Sequence, residues 1–564
     1  MLQRLLAVCL VLLCTASSVL SQSSSDVPQN WHLLSPVKDG IQGISLDSAY
    51  IFLKEKEKKS HTVIVAILDS GIDTAHEDLK EILWHNLKEI PNNGIDDDGN
   101  GYVDDEYGWN FLGGKDGRNI NKASEEKSRV YHRFKSKFAT DSLDTTKLNN
   151  DEKYEYAMWK RAAIEMNAST TPEEERSVEL LDITVKTIKR YDSVLREEIG
   201  SAEYTPNLLE KTTLKTHEGK KAKMAYLTLT KMINVDGDEK NTTTIPELEE
   251  YVESKKQSLR DRDSMPVDVR AEYVKDNYYN INDKYYGNNN VMGPMPLHGT
   301  HVAGIIAAKR NNGIGMDGVA DDVKIMVVRV VPDGDEYDKD IALGIFYAVD
   351  NGAKVINMSF GKSYSPEKKW VDSAMRYALS KDVLIVHAAG NDAANIDEKQ
   401  NFPNPYMLTT HTKLPNYITV GASSDKKLTD NNIIADFSNY GANNVDVFSP
   451  GVKIYSTLPS SENKYGRLSG TSMATPVVTG LAALIRSYYP QLSAIEVKEA
   501  IEKSVDTFPD SSNTYKPGTK DKISFTRLCK SGGIIDAYHA VMMADKMEAN
   551  ILKRKAQEKK SIKQ

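Results

Sequence analysis

The chain has 564 residues, 72 Lys and Arg against 80 Asp and Glu, and a net charge of −8. That length is too great for one small core, and that charge gives no electrostatic reason to expect nucleic acid as the main partner. With 40% hydrophobic residues the composition is globular. At the amino end "MLQR", "LLAVCLVLLC" and "TASSVLSQ" form the three-part pattern of a secretory signal, with cleavage expected after Ser21. The apolar run is too short to span a bilayer and no later stretch reaches about eighteen apolar residues, so the mature chain is expected to be exported, outside the cell or to the periplasm, without a transmembrane segment. Lipid anchoring at Cys14 is the rival reading, disfavoured by the bulky Leu13 before it. Removal of residues 1–21 takes two of three cysteines and leaves Cys529 alone, so stability has to come from burial or bound ions.

In chain order, "HTVIVAILDSG" from His61 is a continuous apolar run ending in Asp69. It predicts a buried parallel strand with a carboxylate at its carboxyl end, although "DSG" alone is more often a turn or cap. "NNGIDDDGNGYVDD" (92–105) then sets Asp96, Asp98, Asn100 and Asp104 at loop positions one, three, five and nine with Gly101 at six, the first part of an EF-hand-like loop. Position twelve is Tyr107 rather than Glu. Clustered carboxylates repel one another unless a cation sits among them, so calcium is expected here over a plain acidic turn.

From 111 to 290 the chain becomes rich in Lys, Glu and Tyr. Thr171, Pro172 and Glu173 form a helix start, Val178, Leu181, Val185, Ile188, Leu195 and Ile199 recur at helical spacing, and Gly200 is the stop. "IPELEEYVESKKQSL" predicts another helix. An ordered loop of this length is implausible, so a helical insertion is expected, acting as a lid or folding aid and separable from the rest. It divides a first part (22–110) from a second (291–545).

In the second part "LHGTHVAGIIAA" (297–308) opens a helix of small residues on His298. The runs "VKIMVVRVV", "AKVINMSF", "DVLIVHAAGN" and "NYITVGASS" alternate with helical stretches. This is an α/β pattern, a mainly parallel sheet flanked by helices on both faces, whose functional groups collect at the carboxyl ends of strands. "LSGTSMATP" (468–476) puts Ser472 at the start of a further helix, where Pro476 costs little if it falls in the opening turn. An ordinary Ser/Thr cap is the plain alternative. The basic stretch 546–564 reads as a solvated tail.

Combined, Asp69, His298 and Ser472 supply an orienting carboxylate, a base and a hydroxyl nucleophile. His298 and His301 are three apart on one helix face, which zinc would also use, but neither cysteines nor an HExxH pattern accompany them. Attack on a carbonyl creates an oxyanion, and Asn391 at the end of a strand offers an amide donor beside the Ser472 N–H.

"ILDSGID", "HGTHVAG", "AAGN" and "SGTSMATP", in that order, resemble the subtilisin-like serine peptidases. The resemblance covers roughly residues 30–110 and 291–545. It implies that Asp69, His298 and Ser472 are the triad and Asn391 the oxyanion donor. Ser359, Phe360 and Gly361, with Ala388, Ala389 and Gly390, would line the pocket for the residue before the scissile bond, their backbone pairing with an extended polypeptide substrate. An endopeptidase working through an acyl-enzyme is therefore expected; a ligase or cyclase, or a non-catalytic binding protein, are the alternatives. Two departures stand out. Only about forty residues separate the signal from the Asp69 strand, where secreted members carry a sizeable propeptide, and 229 positions separate Asp69 from His298. By the same resemblance the stretch after the "VRV" strand forms a cleft wall, so Asp333, Asp335, Glu336 and Asp338 are expected to attract a basic residue two to four positions before the cleaved bond.

Overall fold

The computed structural model describes residues 27–561 apart from 141, 169–171, 233–234, 236, 430–431 and 510–513. The secretory segment, Cys14 and Thr171 of the helix start lie outside the described residues. A nine-stranded sheet organises the chain: β1 (Val63–Asp69), β2 (Gly108–Asn110), β3 (Val323–Arg329), β4 (Val355–Met358), β5 (Leu384–Ala388), β6 (Tyr417–Ser423), β7 (Val447–Pro450), β10 (Asp506–Thr507) and β11 (Gly533–Ile534). Their order is β10-β11-β7-β6-β5-β4-β1-β3-β2, and every pair except β10–β11 is parallel. The hairpin β8 (Ile454–Thr457) and β9 (Tyr465–Leu468) stands apart. This is the α/β, subtilisin-like arrangement expected.

The period of two along β1 divides its side chains between two cores. Val63, Val65 and Ile67 enter one, Ala66 and Leu68 the other. The first core is shared with α1 (Leu46–Glu55) and, beyond the insertion, with α9 (Leu297–Ala307), α12 (Thr471–Tyr488), α13 (Ala494–Glu502) and α14 (Ala537–Ser561). The second lies under α10 (Asp338–Asp350) and α11 (Lys368–Ser380). Helices on both faces explain why the strands read as unbroken apolar runs. β1 has β3 on one side and β4 on the other, so the chain's direction of winding reverses at the carboxyl end of β1, where open α/β sheets place ligand sites. Asp69 is the last residue of β1.

The insertion has two layers. Its inner layer holds α2 (Glu126–Phe138), α3 (Asn150–Ala168) and α8 (Val269–Tyr273). Val130, Phe134, Phe138, Met158 and Ala162 form a cluster there that includes Tyr364 of the sheet domain. The outer layer, α4 (Pro172–Ile199), α5 (Pro206–Lys211), α6 (His217–Met232) and α7 (Asn241–Asp263), has its own core built from Ile188, Leu195, Tyr204, Tyr226 and Ile245. After it the chain returns along the end of β1, where Ile72 N–H donates to the Val291 carbonyl at 3.2 Å. Gly71, at φ +120°, makes room: a Cβ there would stand 2.2 Å from the Met292 carbonyl oxygen. The expected boundary at 546 falls inside α14, which runs on to Ser561, with Met547 and Ile551 against the core and Glu548 2.8 Å from Lys58.

Candidate active site

His298 is the second residue of α9, and its Nδ1 donates to Asp69 Oδ1 at 2.7 Å. A carboxylate only accepts, so the proton sits on Nδ1 and the lone pair on Nε2. The small residues of "HGTHVAG" permit this approach. A Cβ on Gly299 would lie 2.2 Å from the Gly71 carbonyl oxygen and 3.3 Å from Asp69 Oδ1. The Asp69 side chain is 2% exposed and that of His298 36%, so the carboxylate is dry and the ring faces the cleft. Burial alone would push His298 down. The charge of Asp69 and the hydrogen bond to it prevail and hold the ring above its ordinary 6.5. His301 does not join this pair: it is buried, its Nε2 lies 3.3 Å from the Gly466 carbonyl, and burial pushes it to about 3.

Ser472 is the second residue of α12, which begins at Thr471. Pro476 is therefore the sixth residue, one turn deeper than the opening turn expected for it. An N–H at 476 would bond the carbonyl of Ser472; the proline leaves that carbonyl free, and Ser359 Oγ–H donates to it at 2.9 Å. In return the Ser472 hydroxyl donates to the Ser359 carbonyl at 2.9 Å. Behind them Asn357 Nδ2 donates to Ser359 Oγ at 3.0 Å and Thr479 Oγ1 to Asn357 Oδ1 at 2.8 Å, all buried. A satisfied buried polar chain of this kind fixes one geometry, here that of the first turn of α12 against β4. Sequence reasoning missed Asn357 and Thr479; the signal was an asparagine inside the otherwise apolar "AKVINMSF". Among the described residues no hydrogen bond joins Ser472 to His298 in this rotamer.

Asn391 follows β5. Its Oδ1 accepts from Thr471 N–H at 2.8 Å and Thr471 Oγ1 at 2.9 Å. Because a backbone N–H needs an acceptor, the amide orientation is fixed and Nδ2 is left as the donor. Gly390 N–H donates to Thr471 Oγ1 at 3.1 Å, so Thr471, also missed, ties the end of β5 to the start of α12. Ser359, Phe360 and Gly361 leave the end of β4, and Ala388, Ala389 and Gly390 stand at the end of its neighbour β5. Between the two segments lies Asn401, whose Nδ2 donates to the carbonyls of Ala388 at 3.3 Å and Ala389 at 3.0 Å. Asn439 Nδ2 donates to Ala389 at 2.9 Å. The carbonyls of Ala388 and Ala389 are thus already engaged, as is that of Ser359 by the Ser472 hydroxyl.

The acidic wall does not offer the charge its sequence promised. Glu336 and Asp338 are buried, and Asp335 Oδ2 accepts the Glu126 N–H of α2 at 2.6 Å. Lys362 Nζ lies 2.9 Å from Asp338 and 2.8 Å from Glu126, and Arg129 donates to the carbonyls of Asp335 and Glu336. Burial pushes the Glu336 carboxyl up, against the pull of Lys362. Only Asp333 keeps an exposed partner, Lys122 at 3.3 Å. The wall is the seat of the insertion, and the expected attraction for basic residues at that wall falls away.

In the acidic loop the structure brings Asp96 and Asp98 together with Glu89, one oxygen of each within 4.8 Å of the others. Asp104 is turned elsewhere, accepting from Asn93 and Gly94 N–H at 3.0 and 2.9 Å. Asn100 Oδ1 accepts Tyr102 N–H and its Nδ2 donates to Asp105. Glu89 lies outside the motif and was not visible in its spacing; it accepts the N–H of Asp97, Asp98 and Asp104.

A dry carboxylate on a cleft-facing histidine, with a serine on the first turn of a helix packed at the same strand ends, defines the serine peptidase class of site. The chain belongs to the Subtilase family, whose model matches residues 60–523. It is similar to a thermophilic serine proteinase of Bacillus sp. (strain AK1), at 40% identity over 251 residues, covering 44% of this chain and 53% of that protein. Subtilisin BL of Lederbergia lenta is 39% identical over 231 residues, 41% of this chain and 77% of the relative. Thermitase of Thermoactinomyces vulgaris is 41% identical over 245 residues, 43% and 74%. The matched region thus spans about half the length of the first of these relatives and about three quarters of the other two.

Proposed function

We propose that this chain is an exported serine endopeptidase. Ser472 attacks the peptide carbonyl while His298 Nε2 takes its proton; Asp69 holds the ring's tautomer and stabilises the imidazolium. Asn391 Nδ2 and the Ser472 N–H receive the oxyanion. His298 then protonates the leaving amine, and water, activated by the same ring, releases the acyl group. The observation that carries this reading is the 2.7 Å Asp69–His298 contact. Export is supported by the apolar run before Ser21; no helix among the described residues is long and apolar enough to cross a membrane. The test is product analysis on unfolded polypeptides with and without an added amine: fragments ending in free carboxylates are expected, and amide-linked products as the main species would make the chain a ligase.

Calcium belongs to the same reading. Glu89, Asp96 and Asp98 would hold it, a set of hard oxygen donors held together by backbone N–H groups. A bound ion stabilises the folded form by mass action, about 2.7 kcal/mol at a hundredfold excess over Kd. Strong chelation should lower Tm by several degrees with little effect on low-temperature activity, and Glu89→Gln should remove most of that sensitivity. An unchanged Tm with no metal by elemental analysis would leave a plain acidic turn.

A further inference from the structure

A cavity of about 640 Å³ beside the cleft is shared between the sheet domain and the insertion. On one side stand Asp392, Asn401 and Asn439. Asn401 and Asn439 are the residues that hold the Ala388 and Ala389 carbonyls, so the space lies directly behind the pocket lining. The opposite side is α3, which presents Ala157, Arg161 and Glu165 one turn apart along one face. Its other face, with Ala162, is buried against α2, and Met158 borders both that cluster and the cavity. Three polar contacts fix α3 to the sheet domain: Tyr154 O–H donates to the Ser365 carbonyl at 2.9 Å, Asp151 pairs with Lys369 at 2.5 Å, and Arg161 donates to the Ser363 carbonyl while lying 4.2 Å over the Tyr364 ring. The helix is a fixed wall rather than a lid.

Arg161 keeps its charge and faces Glu165 at 3.9 Å. The other charged groups around the cavity are Asp392 and Glu398 against Lys399, which leaves one negative charge in excess. Resting on the peptidase reading above, we propose that α3 sets the enzyme's preference at the residue before the scissile bond, selecting a long side chain with a cationic head, Lys or Arg. The space is far larger than an alanine side chain fills, and the exposed Ala157 leaves its α3 side open.

Peptides identical except for Lys, Arg, Met or Ala at that residue test this on the full chain. Lys and Arg should exceed Met by about fivefold in kcat/KM at low salt, a gap that narrows as salt rises. Glu165→Gln should narrow the gap by slowing only the basic peptides. Ala157→Trp, at an exposed helix position, should slow Lys, Arg and Met by about tenfold or more and spare Ala. Equal rates for all four peptides, or an Ala157→Trp variant with unchanged preferences, would overturn the role of α3 while leaving hydrolysis intact. A folded chain that cleaves none of them would instead defeat the peptidase reading, and this proposal with it.

Discussion

Ser472→Ala is expected to lower kcat by roughly a million-fold, the size of loss established for the nucleophile in subtilisin itself. The variant keeps its fold, because it gives up one half-buried hydroxyl whose bond to the Ser359 carbonyl contributes only about 0.5–1.5 kcal/mol. The Ser472 carbonyl, held by Ser359 Oγ, is untouched by the substitution. Asn391→Ala should be milder, about a hundredfold or more, again the family's own magnitude for one oxyanion donor. Steady-state kinetics on an extended peptide, with circular dichroism to check the fold, measures both. A Ser472→Ala variant turning over at the wild-type rate would remove the mechanism.

The second large effect concerns the insertion. Its inner layer cannot be excised: deletion of residues 115–285 removes Glu126, Arg129, Arg270 and Asp276 at once. Buried Lys339 would lose Asp276 at 2.5 Å and buried Asp340 would lose Arg270 at 2.6 Å, while buried Lys362 would lose Glu126 and keep Asp338. Each of the first two charges, left without its ion pair, costs about 3–5 kcal/mol, and the two together are comparable with the whole stability of an ordinary domain. That variant should be recovered unfolded. The outer layer is different, since its core is its own and Glu175 lies 3.0 Å from Arg262 where the layer joins. Excision of residues 176–256 with a short linker should leave a folded protein that cleaves short peptides, with Tm lowered by no more than a few degrees. Thermal melts decide the matter: a cooperative melt for the larger deletion, or none for the smaller, would contradict this division.

Much of the fold is legible in the residue pattern alone. Continuous apolar runs mark the parallel strands, because burial on both faces removes the polar alternation, and Asp69, His298 and Ser472 stand at strand or helix ends where catalytic groups collect. The rest is hidden for identifiable reasons. The acidic wall reads as available charge because its partners Arg129 and Lys362 are far away in sequence, 206 positions and 26 positions from the carbonyls they reach. Asp104 fits the loop spacing, yet its carboxylate serves a backbone turn, and Glu89 reaches the cluster from outside the motif. Pro476 falls one turn deeper than its residue type suggests because the Gly470 cap is a conformational feature that residue type alone does not fix.

The central claim is that Ser472 is made nucleophilic by a histidine that Asp69 holds above its ordinary pKa. The most direct measurement is the rate of labelling by an organophosphonate as a function of pH, with the modified residue identified by peptide mapping. Labelling should go to Ser472 alone. Its rate should rise with pH through a midpoint above 6.5, because the raised His298 must lose its proton before it can act as a base. In Asp69→Asn the upward influence is gone and burial alone remains, so the midpoint should fall below that of the wild type while the rate drops by orders of magnitude. A label on another residue, or a Ser472 rate indifferent to pH and to Asp69, would contradict the account.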